Sequence, residues 1–136
     1  MSLSTMTGVT GGSVAGFTGG STIQFACVGV TANRMELVVE ADTPLTSRRR
    51  VVIIVVPPNP NAAAPNGYSQ ARSIFRFIKP KLLANGKTVA NTAELKVSFD
   101  PETTQAEVQE MLDIIAQAAA INADTRRMFK SQILNG

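Results

Sequence analysis

The sequence predicts an α+β fold: a five-stranded antiparallel meander followed by two C-terminal α-helices. Three observations carry this. Residues 92–99 alternate strictly, with Ala93, Leu95, Val97 and Phe99 on one side and Thr92, Glu94, Lys96 and Ser98 on the other. Period two is the mark of a half-buried strand. Four further apolar or alternating segments precede it, each set off by turn residues. After Phe99 the apolar period changes to the helical one.

The elements follow in order. Residues 1–21 are rich in Gly, Ser and Thr, with Val9, Val14, Ala15 and Phe17 between glycines; they fit either a flexible arm or a short hairpin. Residues 22–31 read as the first strand of the sheet. A turn at Ala32-Asn33 leads into the second, residues 34–41, where Met35, Leu37, Val39 and Ala41 alternate with Arg34, Glu36, Val38 and Glu40. Asp42-Thr43-Pro44 ends it. In the segment Arg50–Val56 every residue after the arginine is β-branched, which predicts a strand covered on both faces. Residues 57–67 hold four of the chain's seven prolines, predicting a stiff, extended loop. Residues 72–78 form the fourth strand, with Phe75 and Phe77 on one face and Ile74, Arg76 and Ile78 on the other; Pro80 is expected to mark its end or a non-central position. Asn85-Gly86 is a turn signal before the last strand.

Asp100 is a candidate N-cap with Pro101 at the first helical position, and Thr104 with Glu107 offers a capping box one turn later. Val108, Met111, Leu112, Ile115 and Ala119 make one helical stripe; Met128, Phe129 and Ile133 make the apolar side of a second helix, beside Arg126, Arg127 and Lys130. A length of 136 residues predicts one domain: 1–21 a hairpin or arm, 22–99 the sheet, 100–136 the helices. One sheet face is apolar throughout (Met35, Leu37, Val39, Phe75, Phe77, Leu95, Val97). Two short helices cover only part of it, so a helix pair reaching across a second copy is expected to cover the rest, in an obligate homodimer.

Composition removes several function classes. There is no histidine and one cysteine, Cys27, which excludes a His-based dyad, a His metal site, a Cys–His zinc site and an internal disulfide. Cys27 lies in an apolar run and reads as a small buried hydrophobe. Glu102, Glu107 and Glu110 suit a helix start better than acid–base chemistry. The Gly-rich arm at residues 1–21 holds no GxGxxG or GK[ST] pattern and so gives no nucleotide site. No enzyme activity, cofactor, metal or small-molecule substrate is expected. Val51–Val56 is too short to span a membrane, and MSLSTMTGVTGG lacks a signal-peptide layout, so a cytosolic origin is expected. A net charge of +3 with pI about 9.4 permits an anionic partner.

The order of elements, together with MELVVEADTP, FRFIKPKLLANGKTV and TAELKV followed by a helix, resembles the coat proteins of single-stranded RNA bacteriophages of the levivirus type. The resemblance covers most of the chain from Thr22 onward. The chain departs from the family in a longer Pro-rich loop at 57–70, a shorter loop at 83–91 and an unusually apolar strand at 51–56. The resemblance implies an N-terminal hairpin, a five-stranded antiparallel sheet and two C-terminal helices interlocking with a second subunit. It implies dimers that assemble into an icosahedral shell in the bacterial host cytoplasm, packaging single-stranded RNA against the sheet face away from the helices, and a virion location. It matches Arg76 to an RNA-contacting basic residue, with Arg72 on the same face, and Thr92 and Glu94 to RNA-side positions, with Lys96 sharing their face. Val108, Met111, Leu112, Ile115, Met128, Phe129 and Ile133 are the expected dimer contacts.

Charge alone adds Arg48, Arg49 and Arg50, either as RNA contacts or as a solvated edge guarding the VVIIVV run. Arg72 and Arg76 can alternatively pair with Glu94 or Glu36 across strands. Glu36 and Glu40, expected on the same face, oppose phosphate, which favours generic phosphate binding over reading of a specific hairpin. Tyr68 is either a base-stacking or a packing residue. The competing reading is a small dimeric nucleic-acid-binding regulator of sheet type that forms no shell.

Overall fold

Seven strands, one α-helix and a short 3-10 helix at Leu45–Ser47 form over the residues that the computed structural model describes, 7–10, 21–119, 129 and 132. β1 (Thr7–Thr10) and β2 (Ser21–Gln24) form a two-stranded sheet. β3 (Ala26–Val30), β4 (Arg34–Val38), β5 (Arg50–Val56), β6 (Ala71–Leu82) and β7 (Thr88–Phe99) form a second sheet in sequential order, every neighbour antiparallel. The five-stranded meander is therefore as expected. α1 is Gln105–Ala119. The large sheet lies in one compact unit that ends at Pro101, and α1 lies in another that resumes at Glu102.

Strand bounds differ from the sequence reading in places. Residues 22–31 are two strands in different sheets, because the chain breaks pairing at Phe25, whose side chain is buried. The two-stranded sheet thus takes its second strand from residues first assigned to the main sheet. β4 stops at Val38, where Asp42 begins to organise the connection to β5. β6 and β7 run on as a paired hairpin to Leu82↔Thr88, so the loop shortens to 83–87. No β5 residue pairs beyond Arg50↔Ile78, so Pro80 sits on a stretch paired on one side only, where its missing N–H is tolerated.

Residues directly opposite across the ladders share a face. Cys27, Leu37, Val51, Phe77 and Ala93 form one such row, and Met35, Ile53, Phe75 and Leu95 the next. The apolar face expected from sequence is thus one continuous surface. Its core is Leu37 and Val51, at 0% and 1% exposure, with Phe25 and Val39, and Ile23 packed against them. Each such aliphatic burial contributes on the order of 2 kcal/mol. β5 is covered on both faces at its start: Val52, on the opposite face between Glu36 and Arg76, is also buried. The aliphatic stems of those long side chains supply apolar cover there. Toward β6 and β7 the apolar face opens, and Phe75 and Ala93 are exposed.

The Pro-rich loop is not extended. Pro60 bridges Tyr68; Asn61 N–H donates to Gly67 O at 2.8 Å, and Ser69 N–H to Asn59 O at 2.8 Å. The Asn61 and Asn66 carboxamide oxygens accept from the Ala63 and Tyr68 N–H groups, and Gly67 takes the positive φ of 82° that reverses the chain. Asparagine side chains thus curl a segment that its proline content alone would extend.

The helix starts at its second candidate cap. Thr104 N–H donates to Glu107 Oε2 at 2.7 Å and Glu107 N–H to Thr104 Oγ1 at 3.3 Å, a complete capping box. The Asp100 start is superseded, because its carboxylate instead accepts from Asn66 Nδ2 at 2.7 Å. Along α1, Val108 and Leu112 are half-buried while Met111, Ile114 and Ile115 are exposed in the single chain. The second helix expected around Met128 and Ile133 lies outside the described residues, apart from Phe129, which is 70% exposed. No described helix is long and apolar enough to cross a membrane.

Candidate nucleic-acid interface

The face opposite the apolar one is built by the alternate residues of the same strands. Its rows are Arg34–Ile54–Ile74–Lys96, Glu36–Val52–Arg76–Glu94 and Val38–Arg50–Ile78–Thr92, closed at one end by Val56–Arg72–Ser98. Arg72, Arg76, Thr92, Glu94, Lys96 and Arg50, all singled out from sequence, come together on this one surface. It holds five cationic side chains (Arg34, Arg50, Arg72, Arg76, Lys96) against two carboxylates. Ser98, placed on this side of the strand by the alternation, belongs to it as well.

The carboxylates divide the cations into two groups. Arg76 Nε donates to Glu94 Oε2 at 2.7 Å, directly across the β6–β7 ladder. Glu36 takes Arg34 at 3.3 Å and approaches Arg50 at 3.9 Å. Arg72 and Lys96 have no ion pair among the described residues, and both are exposed. Uncompensated positive charge therefore gathers at the Arg72–Lys96 end, not at the centre of the face.

Arg48 and Arg49 do different work from Arg50. Arg49 forms a two-pronged contact with Asp42, Nε to Oδ2 at 2.8 Å and Nη2 to Oδ1 at 2.9 Å, while its own N–H also reaches Oδ2 at 3.0 Å. Hydrogen bonding from Arg49 holds the Asp42 carboxyl at about 2, well below its ordinary value, with a further pull from Arg48; Asp42 raises Arg49 in return. Arg48 donates to the carbonyls of Asp42 and Glu40 at 3.2 and 3.3 Å. Both arginines stitch the β4–β5 connection.

At the Arg72 end the folded Pro-rich loop rises beside the face. Asn66 ties it to Asp100 just past β7, and an open cavity of about 540 Å³ lies between loop and strands.

A meander sheet with one underfilled apolar face and one cationic face, followed by an amphipathic helix, is the architecture of a self-assembling protein. Comparison with solved structures bears this out. The chain is 30% identical to the protein of the virus-like particle of bacteriophage GQ-907, covering 96% of this chain and 95% of that one, with a TM-score of 0.74. It also shares its fold with the virus-like particle of bacteriophage ESE058, at 11% identity over the full length of both chains and a TM-score of 0.76. A bacteriophage coat protein solved as an unassembled RNA-binding dimer matches at 12% identity over 96% of each chain, with a TM-score of 0.55. No protein-family model matches the sequence, and a search of curated proteins found no relative. The chain belongs to the coat proteins of levi-like RNA bacteriophages. It is a capsid protein of the virion.

Proposed function

We propose that this coat protein forms an interlocked dimer that builds an icosahedral shell in the bacterial host cytoplasm and packages single-stranded RNA against its cationic sheet face. The carrying observation is the register, which sorts one sheet into an apolar face and a face rich in Arg and Lys. Exposed Phe75 on the apolar sheet face is a surface that water penalises, and so are the exposed Met111, Ile114 and Ile115 of α1. Val108, Met111, Leu112 and Ile115 of one copy, with Met128, Phe129 and Ile133 of its second helix, cover the partner's sheet. The 12-residue outer edge of β7 favours the same association, since a long open strand edge is a template for pairing. The whole chain acts as one coat-protein domain.

On the cationic side, Arg72, Lys96 and Arg50 meet phosphate, Thr92 and Ser98 supply neutral hydrogen bonds, and Arg76 contributes to the extent that RNA competes with Glu94. Arg48 and Arg49 serve the face indirectly, by fixing the loop that leads into Arg50. Binding is largely electrostatic and releases counterions. Expressing the chain alone in bacteria tests this. Shell-sized particles holding nuclease-protected RNA are expected; empty shells would overturn the RNA role, and dimers that never grow at any salt would overturn self-sufficient shell formation.

A further inference from the structure

We infer that the cavity beside the Pro-rich loop is a nucleotide-sized subsite that takes one unstacked nucleotide of the packaged RNA, its base against Tyr68 and its phosphate at Arg72 and Lys96. This rests on the RNA-binding reading and moves its centre away from Arg76.

Four observations converge on this site. The two cations of this sheet face that have no ion pair among the described residues both line it. They are diagonal neighbours, Arg72 opposite Ser98 and Lys96 two residues before Ser98 on the same face, so one phosphate can meet both. The only tyrosine of the chain, about half exposed, stands on the loop wall of the same cavity. The volume, about 540 Å³, lies within the range of small-ligand sites.

The wall is also preorganised. Tyr68 is held by the bridge to Pro60 and by its N–H to Asn66 Oδ1 at 3.1 Å, and Asn66 is in turn fixed to Asp100. A loop backbone held in place reduces the entropy lost when its side chain stacks. Asp100 brings a carboxylate to the rim, but it is committed to Asn66 at 2.7 Å. It repels a phosphate that strays from Arg72 and Lys96, which favours a fixed orientation. Stacking tolerates any base, so the site positions RNA without reading its sequence.

The test uses full-length protein and a short single-stranded oligoribonucleotide, with affinity measured across a salt series. Tyr68→Ala is expected to weaken binding roughly tenfold, with Tyr68→Phe restoring it. Arg72→Gln with Lys96→Gln is expected to lower the slope of log K against log salt by about 0.7, one phosphate contact's worth on a single strand. Adenosine monophosphate is expected to compete only at far higher concentration than the oligonucleotide; equal potency would mark a free-nucleotide site and overturn the assignment to RNA. Photo-crosslinking of wild-type particles is the second measurement, independent of whether the variants assemble. Crosslinks within residues 61–72 or at Lys96 support the subsite, and crosslinks confined to the β4–β5 side refute it. Wild-type protein that binds no RNA would sink the RNA reading as a whole. Wild-type binding with unaltered variants would sink the subsite alone.

Discussion

Replacing Asp42 by asparagine should destabilise the protein in a pH-dependent way that identifies charge as the cause. The substitution keeps the side chain's shape and removes the partner of Arg49, whose guanidinium approaches both carboxylate oxygens within 2.9 Å. The depressed value of about 2, against an ordinary 3.8, corresponds to an upper bound of about 2.4 kcal/mol at neutral pH. Both side chains retain partial solvent access, and screening reduces the expected figure to ~1 kcal/mol. A carboxyl whose folded value is depressed contributes stability that is full above its unfolded value and is lost as pH falls toward the folded one. The gap between native protein and Asp42→Asn should therefore be constant from pH 7 to about 5, shrink by about half near pH 3, and close near pH 2. Urea unfolding at a fixed protomer concentration across this range measures it. A gap that does not change with pH would mean that the contact acts through packing, and no gap at pH 7 would mean that the clasp contributes nothing.

Leu37→Ala, at the fully buried centre of the sheet, should cost about 2–5 kcal/mol in the same urea assay; a loss under ~1 kcal/mol would show that the core collapses around the site. Thr104→Ala removes the capping box and should cost ~1 kcal/mol, with reduced helical signal in circular dichroism; an unchanged spectrum and midpoint would place the helix start elsewhere. Glu94→Gln releases Arg76 from its 2.7 Å partner, so RNA affinity should rise and the salt slope steepen by about 0.7; a flat response would mean that Arg76 does not reach phosphate.

Legibility in the sequence followed burial. Thr92–Phe99 was readable because one of its faces is apolar and packed, so composition alternates. The same strand's start, Thr88–Asn91, and its partner stretch Lys79–Leu82 were not, because both are almost wholly exposed and neither face selects residue type. The break at Phe25 was hidden for the opposite reason. Ile23, Phe25 and Cys27 all meet the same core, so period two continues across a boundary between two sheets. At Asp100 a helix-start signal was present, but the carboxylate is spent on Asn66, thirty-four positions earlier, which no local pattern can announce.

The charge pattern of the interface shows most clearly what local reading leaves open. Which cations are free depends on the β6–β7 register, and the register depends on one turn. A two-residue Asn85-Gly86 loop would pair Ala84 with Lys87, setting Arg76 opposite Leu95 and mixing the two faces. The chain instead closes on Leu83, whose N–H donates to Lys87 O at 2.8 Å, with Gly86 in the positive-φ position at 82°. That one extra loop residue sets Arg76 against Glu94 and leaves Ile74 against Lys96. Arg76 is thereby compensated, while Lys96 and the neighbouring Arg72 are not. The turn at the far end of the hairpin thus decides where on this coat protein the unpaired positive charge stands, and by the argument above, where RNA meets it.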